Sequence, residues 1–560
     1  MGKLSNIKTR NELAVHLGIS KRQLTYILYV RKVESFYHTF SISKKSGGIR
    51  TICAPQGRLK ILQKKILCLL TEHVSELNQK RYNKVSHAFE KGKGIISNSK
   101  VHRNKRFVIN IDLEHFFDSF HFGRVCGYFE KNRDFQLAHN VALDLARLLC
   151  YRGCLPQGAP TSPIVANLIC QTLDMHLLQI SKKYHLDYTR YADDLTFSTN
   201  DKNFLKLQED FIKELQQEIL RSGFRINSNK TRLQYRESQQ KVTGLVVNKK
   251  INVARDYYKQ TRAMADKLYK DGVFYINEKR GTIGQLEGRF SFIDQLCKYN
   301  NKQDHQKHTF RNLNGREEEY RKFLFYKYFF YSDKPVIVTE GKTDSRYIRA
   351  ALKNLFSEYP ELITKEEHVY TYQVSFLRRT NRLDYFFNYS VDGADAMMNL
   401  YEFFNDNHYL GYVNYLKLFS KLSGKKPRNP VIFLFDNELE DNTKPISKFM
   451  SKLSDKSLLT KLKQEQYVKL TKEGNLYLVT LPLQIGQNQC EIENLFLDDL
   501  LSKELGGKRF CLSGQYDRSE AFGKDTFSKY ILEHYQDIDF QRFKPVLDNF
   551  KLIIKNYKMD

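Results

Sequence analysis

Two neighbouring carboxylates, Asp193 and Asp194, interrupt the run Tyr188–Phe197, which is otherwise rich in aromatic and β-branched residues and has strand character. Adjacent acids repel, and keeping both ionised beside a sheet is costly unless a cation or a water-exposed turn compensates them. A third acid, Asp112, follows the apolar strand-like run Phe107–Ile111 and precedes the aromatic pair Phe116–Phe117. Three acids gathered at strand ends would hold two Mg²⁺ ions about 4 Å apart, one activating a 3′ hydroxyl and the other neutralising a triphosphate during in-line displacement. That is polymerase chemistry. Taken alone the dipeptide is weaker, because Asp-Asp also marks a solvated hairpin turn.

The elements that must position these acids sit in a chain of 560 residues, long enough for three or four domains with their own cores. A net charge of +28, with 35 Tyr and 39 Phe, suits a polyanion whose bases stack on rings, and favours nucleic acid over an anionic membrane. No apolar run reaches the length of a membrane span and the polar amino terminus lacks a signal-peptide core, so a cytoplasmic protein without a membrane partner is expected. The nine cysteines include no C-x-x-C pair. Cys150 and Cys154 lack a second pair or a histidine cluster, so all nine are expected as reduced thiols without structural zinc.

Residues 1–40 are expected as a helical cap, with Ser20 the N-cap of a helix from Lys21 to Val30. Residues 41–250 alternate strand-like and helical stretches, an α+β pattern. Residues 251–332 are helical and rich in Tyr, Phe, Lys and Arg. One basic face there would lie along a duplex, and a solvated charged face explains the same residues. The pattern resets at Ser332–Pro335, where a boundary is placed before the strand Val336–Val338.

Residues 40–250 resemble a reverse transcriptase, with the family's blocks in order. Lys44–Arg50 (KKSGGIR) resembles the fingers hairpin that grips the incoming dNTP, Arg50 suiting bidentate phosphate contact and Lys45 adding a point charge. Asp112 matches the first catalytic aspartate. Phe117, five residues on, matches the ring that excludes a ribose 2′ hydroxyl. Leu155–Pro163 (LPQGAPTSP) resembles the template and nucleotide-pocket block, where glycine permits close backbone approach and Gln157 hydrogen-bonds the nucleotide. Gly223–Asn227 and Lys230–Thr231 resemble the block whose lysine lies near departing pyrophosphate, so Lys230 is the expected proton donor. The resemblance implies a right hand of fingers and palm (41–250) and helical thumb (251–332), with two Mg²⁺ on Asp112, Asp193 and Asp194.

Two short elements resemble the retron subfamily. Asn98-Ser99-Lys100-Val101-His102 is similar to its Asn-Ala-x-x-His element, with Ser99 in place of alanine, and Val242-Thr243-Gly244 to its Val-Thr-Gly element, associated with recognition of structured RNA. The retron resemblance implies multicopy single-stranded DNA copied from a folded noncoding RNA, primed from a guanosine 2′ hydroxyl and left attached to it, and a role in phage defence. The alternative is a group II intron-like or other bacterial reverse transcriptase whose C-terminal domain is a non-catalytic nucleic-acid scaffold. A homo-oligomer is left open.

Lys334–Asp344 (KPVIVTEGKTD) has the pattern of a strand and a Glu-Gly turn opening a helix from Ser345 to about Leu355. A second buried strand, Val431–Phe435, ends in Asp436-Asn437-Glu438. Acids at the carboxyl ends of parallel strands converge in one crevice. Residues 333–500 resemble the α/β Toprim fold, with Glu340 matching its glutamate and Asp436-x-Glu438 departing from its usual Asp-x-Asp. The absence of zinc-binding cysteine pairs disfavours a primase, and little chain remains for strand passage, which leaves a nuclease with one or two Mg²⁺ on Glu340, Asp436 and Glu438. Glu491 and Glu493 are weaker candidate ligands, and a charge pair at a helix start explains them as well. Asp392-Gly393 is expected as a turn, and residues 501–560 as a C-terminal helical extension.

Overall fold

Ser20 accepts a hydrogen bond from the Gln23 amide at 3.2 Å, and the Gln23 side chain accepts one from the Ser20 amide, so a helix starts at Lys21 as expected. The computed structural model describes residues 3–43, 47–77, 85–390, 395–406, 411–511, 517 and 519–559. Lys45, with its neighbours Lys44 and Ser46, and the expected Asp392-Gly393 turn lie outside the described residues. The chain divides into two units, residues 1–254 and 255–560.

In the first unit, α1 (Arg10–His16) and α2 (Lys21–Thr25), the latter continued by a π turn over Tyr26–Val30, precede the hairpin β1 (Tyr37–Ser43) and β2 (Ile49–Pro55). Next come α3 (Gly57–Leu77), α4 (Ile95–Val101), β3 (Phe107–Asp112), α5 (Phe122–Lys131), α6 (His139–Leu149) and α7 (Ser162–Lys183). The unit closes with β4 (Asp187–Tyr191), β5 (Asp194–Thr199), α8 (Phe204–Arg221), β6 (Arg232–Tyr235), β7 (Lys241–Val242) and β8 (Leu245–Val246). Leu13, Leu17 and Leu24 join the same apolar core as Ile109, Leu195 and Phe197, so the amino-terminal helices are built into the unit.

The central sheet is antiparallel in the order β4-β5-β3-β6. Side chains alternate across it. Ile109, Ile111, Leu195 and Phe197 face the core, where Phe197 meets Phe211 of α8 with ring centroids 5.2 Å apart, leaving Asp112 and Asp194 on the opposite face. One charge pair lies inside this core. Arg190 of β4 is fully buried, and its Nε and Nη2 each donate to Asp174 of α7 at 2.8 Å, while the Tyr188 hydroxyl donates to the same carboxylate at 2.9 Å. Removing one partner would leave the other charged and unpaired in the interior. Asp174→Ala is therefore expected to cost about 3–5 kcal/mol in urea denaturation, more than a double change replacing Arg190 and Asp174 together by apolar residues.

The second unit begins with α9 (Arg255–Asp271), the small hairpin β9 (Tyr275–Ile276) and β10 (Lys279–Arg280), α10 (Ile283–Gln303) and α11 (Gly315–Phe325), which runs into a π turn over Tyr326–Phe330. Then follow β11 (Val336–Thr339), α12 (Asp344–Asn354), the hairpin β12 (Ile363–Glu366) and β13 (Val369–Tyr372), β14 (Ser375–Phe376), β15 (Val431–Phe435), β16 (Tyr467–Lys469) and β17 (Leu476–Thr480). The main sheet runs β14-β11-β15-β17-β16, parallel except for β16. Both faces are covered, which suits its continuous apolar strands. Val338, Phe433 and Leu478 pack with Leu268, Phe323 and Phe329 from the helical segment; Ile337, Ile432 and Val479 pack with Tyr347 and Ile348 of α12 and Phe550 of the last helix, Lys544–Met559. The reset placed at residue 332 thus marks the start of β11 but not a break in the core. Helices 255–330 and the following sheet share one apolar interior. Among the described residues the cysteines other than Cys511 are free thiols, and no helix is long and apolar enough to cross a membrane.

Candidate active sites

β3 and β5 pair with Asp112 directly opposite Asp194, a register that places their Cα atoms about 5 Å apart. Asp193 lies in the two-residue turn between β4 and β5, and its carbonyl accepts from the Leu113 amide at 3.0 Å. Ala192 in the same turn has φ 56°, a left-handed conformation unfavourable for a residue with a Cβ, so the turn that displays the acids is strained. The three sequence-predicted carboxylates therefore meet at one end of the sheet.

Their surroundings are unequal. Lys230 Nζ donates to both carboxylate oxygens of Asp112 at 3.0 Å, and Asn227 Nδ2 donates to one of them at 3.3 Å. Burial raises the Asp193 carboxyl above its ordinary range and Asp112 adds repulsion, while Lys230 and Arg50 oppose the rise. Crowding by protein, then the charges of Asp193 and Asp112, push Asp194 up to about 7, although its side chain is open to solvent in the cleft. Among the described residues no group of three or more His, Cys, Asp or Glu side chains is already arranged to hold a metal ion. The donor set still fits hard divalent cations: three carboxylates, two of them with raised proton affinity from burial and mutual repulsion that added positive charge would relieve.

Of the residues expected at a nucleotide pocket, Arg50 is near enough to oppose the rise in the Asp193 carboxyl. Arg50 lies on exposed β2, opposite Ile42 of β1. The Cys53 amide of the same strand donates to the Gln157 carbonyl at 2.7 Å, tying the hairpin to the Pro-Gln-Gly loop. Gly158 has φ 119°, and a Cβ there would meet Ile52 Cγ2 at 2.7 Å and the Cys53 carbonyl oxygen at 3.0 Å. Gly158→Ala is expected to cost about 1–3 kcal/mol in stability and to slow primer extension, checked by denaturant unfolding and a dNTP titration. Phe117 is half-buried with its ring edge-on to Phe116, centroids 5.4 Å apart.

The RNA-recognition candidates are placed otherwise than a contact role requires. Asn98 and His102 are one turn apart and fully buried, as is Val242, so none of the three is open to an RNA; Thr243 is half-buried and Gly244 exposed. His102 Nδ1 lies 2.7 Å from Ser198 Oγ and Nε2 2.7 Å from Thr189 Oγ1. Burial pushes its pKa down to about 3, so the ring is neutral.

In the second unit, Glu340 directly follows β11 and Asp436 directly follows β15, at the carboxyl ends of adjacent parallel strands. The Asp436 amide favours the Glu340 carboxylate, yet burial and the charges of Asp344 and Glu438 push Glu340 up to about 7. One of its oxygens, Oε2, is buried without a hydrogen bond. Asp436 Oδ1 accepts from the Ile492 amide at 3.1 Å; burial, then Asp344, Glu340, Glu493 and Glu491, drive its pKa well up. Glu438 is buried and paired with Lys444.

Sequence reasoning missed four residues of this crevice. Asp344, buried at the start of α12, accepts from the Gly341 amide at 2.6 Å, and its spacing of four from Glu340 across a strand-to-helix turn was the available signal. Lys524 lies 3.0 Å from Glu493 and 3.1 Å from Glu491, and nothing local announces it. Lys444 and Arg379 complete the cationic side, Arg379 donating to the backbone carbonyls of Thr339 and Glu340. Glu491 and Glu493 do flank a helix start, as their simpler explanation held, but they also add to the repulsion on Asp436. Six carboxylates against three bases leave an excess of negative charge that suits a cation, by the same donor chemistry as in the first unit.

Residues 42–247 match the family model described as reverse transcriptase (RNA-dependent DNA polymerase). The chain is 35% identical over 278 residues to the retron Ec86 reverse transcriptase of Escherichia coli, covering 49% of this chain and 80% of that protein. It is 34% identical over 275 residues to the retron Mx65 reverse transcriptase of Myxococcus xanthus, covering 46% of this chain and 62% of that one. Among solved structures, apo telomerase of Candida tropicalis, truncated of its C-terminal domain, aligns at 14% identity with TM-score 0.30 over 41% of this chain and 56% of that one, too distant to add to the sequence matches. With the Asp112–Asp194 pairing and the family model falling on the same residues, the chain belongs to the retron reverse transcriptases.

Proposed function

We propose that this protein is a cytoplasmic enzyme that copies a structured noncoding RNA into multicopy single-stranded DNA joined to that RNA, and that its C-terminal half is a Toprim-like nuclease acting in phage defence. The observation that carries the first part is the register of β3 on β5, which brings Asp112 against Asp194 with Asp193 beside them. Divalent cations held by these three acids would activate the priming hydroxyl and neutralise the triphosphate. Arg50, with Lys45 five residues before it in sequence, binds the dNTP phosphates; the half-buried ring of Phe117 excludes a ribose 2′ hydroxyl; Gln157 orients the nucleotide. Lys230, whose ammonium rests on Asp112, holds the proton for departing pyrophosphate. Residues 251–332 supply the thumb.

For the second part, support comes from Glu340 and Asp436 at the ends of adjacent parallel strands in a sheet covered on both faces, where ligands gather in open α/β folds. Glu340, Asp436 and Glu438 would hold one or two Mg²⁺ for phosphodiester cleavage, kept in check by the RNA–DNA product until infection disturbs it. The test of synthesis is incubation with the cognate RNA and dNTPs. A branched RNA–DNA product from the parent, absent with Asp193→Asn, is expected; no branched product from the parent would refute the reading.

A further inference from the structure

The sheet face that carries Asp112 and Asp194 continues, by strand alternation, through Thr196 and Ser198 of β5 and Thr189 of β4, which pairs with Thr196. His102 binds this face. Thr189 gives its one hydroxyl proton to Asn98 Oδ1 at 2.6 Å, so it accepts from His102 Nε2–H, and the neutral ring then accepts from Ser198 at Nδ1. The hydrogen bonds run in one sense, Ser198 to His102 to Thr189 to Asn98, and pin α4 across both strands of the catalytic hairpin.

Ser99 faces the other way. Its hydroxyl donates to the Val242 carbonyl at 3.0 Å and lies 3.4 Å from Thr243 Oγ1, which in turn donates to the Ile95 carbonyl at 3.4 Å. An alanine, usual at this position in the retron element, offers none of these bonds. Thr243 and Gly244 form the turn between β7 and β8 with φ 46° and 83°, and a left-handed conformation at a β-branched residue such as Thr243 persists only where its surroundings hold it. Asn110, two residues before Asp112 on β3, donates to the Lys241 carbonyl at 2.8 Å, and Val108, Val242 and Val247 close a small apolar cluster beneath the turn.

We propose that the two retron elements are halves of one buried clasp, in which His102 and Ser99 are positioning residues that fix the Thr243–Gly244 turn on the catalytic face, and that this turn alone is presented to the structured RNA. The inference rests on the proposed RNA-templated synthesis and goes beyond it by assigning the buried residues an indirect role. Ser99, the departure from the family's alanine, strengthens the link in this chain.

The test compares initial rates on the cognate RNA and on poly(rA)·oligo(dT) for the full-length parent, His102→Leu, His102→Gln, Ser99→Ala, Gly244→Asp and the double variant His102→Leu/Gly244→Asp. Aspartate tolerates the left-handed turn while its charge opposes phosphate. On the cognate RNA, His102→Leu and Gly244→Asp should each raise KM about tenfold with kcat nearly unchanged, and Ser99→Ala should raise it about threefold. On poly(rA)·oligo(dT) each variant's rise in KM should be several-fold smaller than on the cognate RNA. The double variant should be no worse than Gly244→Asp alone, and His102→Gln, which keeps an N–H for Thr189, should recover part of the loss. Equal losses of kcat on both templates, or multiplying effects in the double variant, would overturn the clasp. If His102→Leu does not fold, an unchanged KM in folded Ser99→Ala overturns it. A parent inactive on the cognate RNA sinks the retron reading and the clasp together, whereas an active parent with unaffected variants sinks the clasp alone.

Discussion

Asp194→Asn is expected to lower DNA synthesis by about 10³-fold or more while leaving the protein at least as stable as the parent. The two halves of this expectation come from one geometry. Asp194 stands opposite Asp112 and beside Asp193, and burial, then the accumulated charge, raises its proton affinity. An amide of the same shape removes a repelling charge, so the melting temperature should hold or rise, but it also removes one of the anionic oxygens on which cation binding depends. A primer-extension time course paired with a thermal melt separates the two effects. A variant that loses activity and stability together would instead mark Asp194 as a structural residue.

Asp436→Asn is expected to abolish nucleic-acid cleavage, and any toxicity that follows from it, while reverse transcription continues at the parent rate. The substituted amide oxygen would still accept from the Ile492 amide, so the local fold keeps its hydrogen bond. What disappears is a carboxyl whose ionisation is opposed by burial and by Asp344, Glu340, Glu493 and Glu491, and melting should again hold or rise. Cleavage of labelled single-stranded and duplex substrates in Mg²⁺, beside the same primer-extension assay, checks both outcomes. Cleavage that survives Asp436→Asn and Glu340→Ala alike would leave a nucleic-acid-binding scaffold as the better description of this half.

The polymerase site was legible because its chemistry coincides with its secondary structure. An apolar strand that ends in one acid, and a hairpin that turns on two, can be paired in few ways that keep both apolar faces buried, and the register Asp112 to Asp194 follows. Glu340 and Asp436 were legible for the same reason, each standing one residue beyond a buried strand. The retron elements were legible as motifs but not as structure. A seven-residue helix carries too little periodicity to reveal that Asn98 and His102 face a sheet. Lys524 was out of reach because its partners lie more than thirty residues away in sequence. The aromatic run Phe323–Tyr331 has the pattern of a helix end, and nothing local says that Phe323, Phe325 and Phe329 pack on the strands that follow. That is why a boundary was expected at Ser332–Pro335, after the helical residues 251–332.

DNA synthesis by the proposed mechanism requires that Asp112, Asp193 and Asp194 share divalent cations. The most direct measurement is anomalous diffraction from crystals of the protein bound to a primer–template and a non-hydrolysable dNTP in Mn²⁺. Two Mn²⁺ peaks about 4 Å apart, bounded by these three carboxylates, are the predicted result. Peaks elsewhere, or none at this end of the sheet while the nucleotide is bound, would contradict it.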